Sequence, residues 1–379
     1  MREYAIIIVG AGPAGSAAAI QLANRRPELA ARTLVLERGV FPRRKLCAGG
    51  ITAHVDGLLQ ALDVTLDVSS FPVHAVRFVF EDLEFTFRRR NAFRVVQREE
   101  FDMALARTAQ ARGVRLCEGE VVRDLVHDGA GVRVVTNRDE YRALVVIGAD
   151  GANSVVRQKL GLACPQHISR LMEVFTSGEG ISSAGFVEHT AVFDFTPITC
   201  GVQGYYWDFP AIQRGTPTMN RGLFDARVRP DRPRARLKPV FEGELAGRGV
   251  RLHEVPLLGH PERWFDAREP QAGPRVVLAG DAAGAEPLLG EGISYALNFG
   301  VVAAEAVIDA FAREDFSFSG YNRRVMRSAL GRHLRLKRFV AHYAYGKRGR
   351  WFYRLGWRTL GLLVRVHGLS GRGCEVAKL

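Results

Sequence analysis

The stretch IIIVGAGPAG (residues 6–15) decides the fold. A run of branched apolar residues ends in a glycine-rich turn, and Pro13 to Asn24, rich in small residues, reads as a helix. Residues 4–9 therefore read as a buried parallel strand, and TLVLE (33–37) as the second strand of an opening βαβ unit. Gly10, Gly12 and Gly15 stand in GxGxxG spacing. Gly10 permits the tight turn, Gly12 lets a pyrophosphate approach the backbone, and Gly15 lets helix and strand pack closely. The free N–H groups and dipole at the start of the helix favour that anion. Glu37, ending the second strand, is placed to accept hydrogen bonds from ribose hydroxyls. The stretch thus points to a bound dinucleotide.

Two later segments narrow the choice of dinucleotide. VIGADGANSVVR (146–157) follows a buried strand and carries Asp150, Gly151, Ser154 and Arg157. VVLAGDAAGAEPLLGEGISYAL (276–297) carries Gly280, Asp281, Pro287, Gly290, Glu291 and Gly292 before a helix that starts near Gly290–Ile293. The positive end of that helix suits the flavin N1–C2=O edge, where negative charge accumulates on reduction. Asp281 is placed for ribityl hydroxyls. Strands around 68–92 and 166–269 are rich in Phe, Val and Thr and punctuated by Gly and Pro, as in a mostly antiparallel sheet.

The glycine fingerprint, the DG motif and the GD motif, in that order, resemble the p-hydroxybenzoate-hydroxylase-type FAD fold over roughly residues 4–311. The resemblance implies an α/β, Rossmann-like FAD-binding domain made of 1–67, 93–165 and 270–320. It also implies a β-rich substrate domain made of 68–92 and 166–269, followed by a basic helical region, 321–379. It implies FAD contacts from Gly10, Gly12, Pro13, Ala14 and Gly15 in the first turn, and from Glu37 and Arg38 beyond the second strand. Arg98, in VQREEFDMAL, matches the arginine that contacts FAD at the start of its helix, with Val122 beyond it. Asp150, Gly151, Gly280, Asp281, Pro287, Gly290, Gly292 and Ile293 complete that set. With only one fingerprint in the chain, NAD(P)H would bind transiently or an electron-donor protein would supply electrons.

Within that fold, PRRKLCAGGI (42–51) resembles the geranylgeranyl reductase family, whose members carry a cation-x-Cys-Gly-Gly-Gly segment after the first βαβ unit. Ala48 stands where the family has its first glycine. GYYWDFP (204–210) matches the family's Tyr-x-Trp-x-Phe-Pro pattern. Alternation places Tyr205, Trp207 and Phe209 on one strand face, an apolar wall suited to an isoprenoid substrate. The resemblance implies FAD-dependent hydrogenation of isoprenoid double bonds. It implies that Arg44, Cys47, Ala48 and Gly49 meet the cofactor, with Cys47 either a proton donor or a packing contact. The alternative on the same scaffold is a flavin-dependent monooxygenase or halogenase.

Composition agrees with a globular enzyme: 47% hydrophobic and 25% charged residues in 379. The five cysteines (47, 117, 164, 200 and 374) show neither CxxC nor Cys/His ligand spacing, which argues against a zinc site and fits a reducing, cytoplasmic location. No run of about 18 apolar residues predicts a transmembrane helix. The net charge of +13 is uneven. Residues 321–379 hold 15 Lys/Arg and one acid, Glu375, so the remainder holds 53 − 15 = 38 bases and 40 − 1 = 39 acids. A helical reading of Tyr321–Tyr345 puts Arg327, Arg335, Arg338 and His342 opposite Val325, Ala329, Leu336, Val340 and Tyr343. After a break at GKRGR comes WFYRLGWRTLGLLVRV, with Arg354, Arg358 and Arg365 at helical spacing. Cations beside Trp and Tyr suit peripheral contact with an anionic membrane surface. Nothing else in the chain resembles a nucleic-acid module.

Overall fold

The structure, a computed structural model, describes residues 1–162, 167–177, 184–346 and 349–369, with the side chains of 177, 184 and 365–369 outside that description. Cys164, Cys374 and the end of the basic tail therefore lie outside the described residues. In chain order the strands begin β1 (Arg2–Val9), β2 (Thr33–Glu37), β3 (Gly50–Thr52), β4 (Ser70–Phe80), β5 (Leu83–Val96), β6 (Arg115–Glu118), β7 (Val122–His127) and β8 (Val132–Thr136). They continue as β9 (Glu140–Gly148), β10 (Ile168–Ser177), β11 (Thr190–Asp194), β12 (Gly204–Gln213), β13 (Thr216–Asp225), β14 (Leu258–Arg263), β15 (Ala272–Gly273) and β16 (Val276–Leu278).

The first sheet runs β15-β16-β9-β1-β2-β6, with β8 also paired to β9 and β7 to β8. Its centre is parallel, and Ile7 on β1 sits opposite both Leu34 and Val146. Covered on both faces, β1 buries five consecutive residues, Ala5 to Val9, and β2 buries all five of its own, the pattern a central parallel strand requires. The helices Pro13–Arg25 and Ile293–Arg313 pack against each other on one side of this sheet. Ile293–Arg313 is long and apolar enough, by length and composition, to cross a membrane, but 61% of its apolar window is buried inside the molecule. Asn298, Glu305 and Asp309 interrupt its apolar run in the sequence.

The second sheet runs β14-β10-β13-β12-β11-β4-β5-β3 and is antiparallel except between β11 and β4. β3 belongs here, pairing Gly50 with Val95 of β5, although the sequence reading grouped 1–67 with the nucleotide-binding unit. A three-residue strand beside a glycine pair carries too little periodicity to declare its partner. One face of this sheet looks toward the first sheet across a cleft. The other face is covered by the helix Leu237–Ala246, whose Phe241 meets Tyr206 of β12.

The basic region forms three helices, Tyr321–Arg327, Ala329–Ala344 and Arg350–Leu369. The predicted single helix over 321–345 is broken at Ser328, whose extended backbone and side chain cap the next helix by accepting from the Gly331 N–H. The predicted faces are also partly exchanged. Leu336 and Tyr343 point outward, while Arg338 turns inward to pair with the buried Asp266 at 2.6 Å and to lie over the Trp264 ring. A buried carboxylate on another element outweighs the helix's own periodicity.

Candidate functional site: a cofactor cleft with an aromatic wall

A cleft of about 520 Å³ opens at the carboxyl ends of β1, β9 and β16 and is walled by the second sheet, the position at which parallel α/β sheets bind ligands. Its floor requires glycine. Gly10 has φ +98°, and a Cβ there would stand 2.4 Å from the Ala149 carbonyl oxygen. A Cβ on Gly15 would stand 1.9 Å from the Gly10 oxygen, so Gly15 serves packing and does not itself line the cleft. Gly12 begins the Pro13–Arg25 helix with no side-chain cap, so its first N–H groups are free to receive an anion.

Glu37 sits at the end of β2 as expected, and its carboxylate accepts from the N–H groups of Ala11 and Gly39, each at 2.9 Å. It also meets Arg43 at 3.1 Å. Arg43 reaches on to Asp102 at 3.2 Å, and Asp102 takes a bidentate pair from Arg98 at 2.8 and 3.0 Å. Burial opposes the charge on Arg98, but the adjoining Asp102 carboxylate outweighs it and holds the guanidinium charged. The sequence reading placed Arg44 here. Arg44 does line the cleft with Arg38, but Arg43 makes the ion pairs. Three consecutive cations give no indication which of them faces inward.

The DG and GD segments meet behind the cleft. Asp150 accepts from the Ser154 hydroxyl at 2.5 Å and the Val156 N–H at 3.1 Å, capping the short helix after it; burial raises its pKa. Arg157 turns away and donates to Gln271 and to the Ala282 carbonyl, joining the two segments. Glu286, fully buried, accepts from the N–H groups of Leu288, Leu289 and Glu291 at 2.7, 2.9 and 3.0 Å and so shapes the turn that presents Gly290, Gly292 and Ile293 to the cleft. Pro287, expected as a contact, is buried behind this turn and does not line the cleft. Pro13, Ala14, Val122, Gly151, Gly280 and Asp281 do line it. A glycine floor, an uncapped helix end and paired arginines fit a dinucleotide's pyrophosphate.

The opposite wall is aromatic. Tyr205, Trp207 and Phe209 share one face of β12 and line the cleft, and Phe93, Phe193, Phe224 and Leu171 extend the surface across neighbouring strands. Gly222 on β13 makes room for Trp207: a Cβ there would lie 2.1 Å from the indole Cζ2. The Tyr205 hydroxyl donates to the Leu289 carbonyl, tying the wall to the Gly290 turn.

Between floor and wall lies the Arg43–Gly50 loop, with Cys47, Ala48 and Gly49 all facing the cleft. Gly49, at φ +75°, passes so close to β5 that a Cβ would stand 2.2 Å from the Val96 oxygen. The Trp207 Nε1–H donates to Asn220 Oδ1 at 2.9 Å, and Asn220 Nδ2 donates to the Cys47 carbonyl at 3.2 Å, so the wall and the loop are held as one piece. Glu173, 2% exposed, lies under the same loop. Burial pushes its pKa up to about 7, against the lowering effect of hydrogen bonds from Asn220 and the Cys47 N–H. Lys45 Nζ meets His260 Nε2 at 2.5 Å, and burial lowers the pKa of both, that of His260 to about 3. Asn220, Glu173 and His260 escaped the sequence reading because nothing in their local sequence marks them; strand pairing alone brings them to the loop.

Residues 3–305 match the family described as FAD binding domain. Among curated relatives, digeranylgeranylglycerophospholipid reductase 1 of Methanopyrus kandleri is 31% identical, with 84% of each chain covered. The menaquinone reductase of Mycolicibacterium smegmatis is 29% identical over 79% of this chain and 75% of its own. Among solved structures, a geranylgeranyl bacteriochlorophyll reductase-like protein of Thermoplasma acidophilum superposes with a TM-score of 0.78 at 22% identity, covering 96% of this chain and 91% of its own. A glycine-floored dinucleotide cleft, an aromatic wall joined to a cysteine loop, and relatedness over most of the chain agree: the protein is an FAD-dependent oxidoreductase of the geranylgeranyl reductase family, built on the p-hydroxybenzoate-hydroxylase-type FAD fold.

Proposed function

We propose that this oxidoreductase hydrogenates carbon–carbon double bonds in an isoprenoid: a geranylgeranyl-type lipid, a prenyl diphosphate or a quinone tail. The observation that carries the reading is the continuous wall of Tyr205, Trp207, Phe209 and Phe193 facing the cofactor floor across the Cys47 loop. When reduced, the bound FAD supplies the hydride for one alkene carbon. The chain's own residues must do the rest. An isolated alkene is weakly polarised, so position and dryness contribute much of the lowering of the barrier. Tyr205, Trp207 and Phe209, each under 8% exposed, form a dry surface against which an apolar chain can lie. The Trp207–Asn220–Cys47 connection fixes that surface relative to the Cys47 loop. Arg43 and Arg98 would hold the cofactor's phosphates, while Arg44 and Lys45 line the cleft where a phosphorylated substrate end could pair. NAD(P)H or a donor protein would reduce the cofactor transiently.

A lipid substrate also needs a surface from which to enter. Among the described residues, eight of the twelve exposed large apolar side chains fall between Leu336 and Leu363, on the last two helices. Phe339 is 72% and Trp351 70% exposed, and residues 321–369 contain no acid. Exposed apolar side chains on helices that carry cations and no acid of their own support docking on an anionic bilayer.

The deciding experiment is anaerobic: the holoenzyme is reduced with dithionite and given a geranylgeranyl lipid or menaquinone. Reoxidation with a mass gain of two hydrogens per bond is expected. Reoxidation that requires oxygen and adds one oxygen atom to the substrate refutes the reading in favour of a monooxygenase.

A further inference from the structure

The cleft wall has a polar edge. β14 is the outermost strand of the second sheet, and its alternation turns both His260 and Glu262 toward the cleft, beside Leu171 of β10 and Phe224 of β13. His260 is engaged by Lys45. Glu262 differs: it is only 7% exposed, and its Oε2 is buried with no hydrogen-bond partner among the described residues. Its carboxyl lies against the turn that closes the cleft, Oε2 standing 3.2 Å from a Cβ position on Gly290 and Oε1 3.3 Å from one on Gly292. Asp281 reaches the same point at Gly292, to 3.9 Å.

Burying an unpaired carboxylate costs several kcal/mol, and a second carboxylate nearby adds to that cost. The groups that face Glu262 are Asp281 and Glu286 from the GD segment, Cys47 and Lys45 from the loop, and the Tyr205 hydroxyl from β12. Only Lys45 favours ionisation, and its effect is the smallest of those on Glu262. Burial first, then Asp281 and Glu286, raise the Glu262 pKa well above the usual carboxyl range. Cys47 has its sulfur engaged as an acceptor from the Gly49 N–H at 3.4 Å, whereas Glu262, which lines the cleft, keeps an Oε2 with no partner among the described residues.

We propose that Glu262 is the acid of this cleft, a neutral carboxyl whose proton goes to the alkene carbon that does not receive hydride. The role rests on the isoprenoid-reductase reading. The O–H bond breaks and its electron pair stays on the carboxylate. The alkene π pair forms the new C–H bond to that proton, and the other carbon takes a hydride, whose two electrons come from the reduced cofactor. Water then returns a proton to Glu262. The substrate gains two hydrogens, and one flavin hydroquinone is consumed per bond.

The test is Glu262→Gln in the holoenzyme, which keeps shape and neutral charge but has no acidic proton. Single-turnover hydrogenation of a geranylgeranyl lipid is expected to fall about 100-fold or more, with FAD affinity unchanged. Independently of activity, the infrared carbonyl band of a protonated carboxyl at pH 7 is expected in the wild type and lost in the variant. In the wild type alone, dicyclohexylcarbodiimide, which reacts with protonated carboxyls in apolar surroundings, is expected to modify Glu262 at pH 7. Glu262 left unmodified in the folded protein, or no difference in the carbonyl band, overturns the neutral carboxyl. A variant that hydrogenates at the wild-type rate overturns the donor role alone. A wild type that hydrogenates no isoprenoid refutes the reductase reading and the donor role together.

Discussion

Replacing Glu173 with Gln should change how stability depends on pH, and the size of the change follows from its burial. In an unfolded chain this carboxyl titrates near 4.5; beneath the Cys47 loop, desolvation lifts it to about 7. Because the folded-state pKa is the higher one, folding is favoured when Glu173 is protonated. Its contribution is fully present below about 4.5 and is lost progressively as pH rises toward 7. A difference of roughly 2.5 pKa units, at 1.36 kcal/mol each, is about 3 kcal/mol. The amide of the E173Q variant would keep a hydrogen-bonding group beside Asn220 without titrating. Urea unfolding of both proteins, each saturated with FAD, at pH 4.5, 6 and 8 reads the effect. The wild type should lose about 3 kcal/mol relative to E173Q across that range. Parallel pH profiles, or a wild type that gains on E173Q as pH rises, would refute the claim that a buried carboxyl under the loop carries this proton. Because Asn220 joins Glu173 to the Cys47 carbonyl and Trp207, the same titration should loosen the loop, giving weaker FAD retention at pH 8 in the wild type but not in E173Q.

Other consequences can be checked more briefly. Gly222→Ala places a methyl 2.1 Å from the Trp207 ring and 2.5 Å from the Met172 carbonyl on the adjoining strand, so relief in one direction worsens the other. A loss of about 1–3 kcal/mol is expected, and an unchanged melting temperature would contradict the packing. Arg98→Met leaves the fully buried Asp102 with Arg43 as its remaining cation, so stability should fall by about 3 kcal/mol and FAD should dissociate more readily; retention of both would remove Arg98 from the cofactor site. Changing Phe339, Trp351 and Leu355 together to Ser should weaken sedimentation with anionic vesicles by at least about tenfold, with binding that also falls as salt rises. Equal partition of the wild type onto neutral and anionic vesicles at low salt would eliminate the docking face.

The reach of the sequence was greatest where chemistry is local. The turn from Val9 to Gly15 needs glycine at Gly10 and Gly15, where a Cβ would stand 2.4 Å from the Ala149 oxygen and 1.9 Å from the Gly10 oxygen. Glu37, Asp150 and Asp281 follow strands at offsets that the βαβ geometry dictates, so all three were legible as cleft residues, and the alternation of Tyr205, Trp207 and Phe209 put three rings on one face before any partner strand was known. What only tertiary structure decided are the contacts made across the sheets. Which of Arg43, Arg44 and Lys45 faces inward depends on where Asp102 and His260 lie, 59 and 215 residues away in the chain. Arg338 and Leu336 exchanged their expected faces because Asp266 waits, buried, on another element. Glu262 carries no local mark at all: its character comes from a strand edge that turns it toward Asp281 and Glu286 and away from water. Periodicity and spacing record a residue's neighbours along the chain, whereas charge, burial and proton affinity depend on neighbours through space.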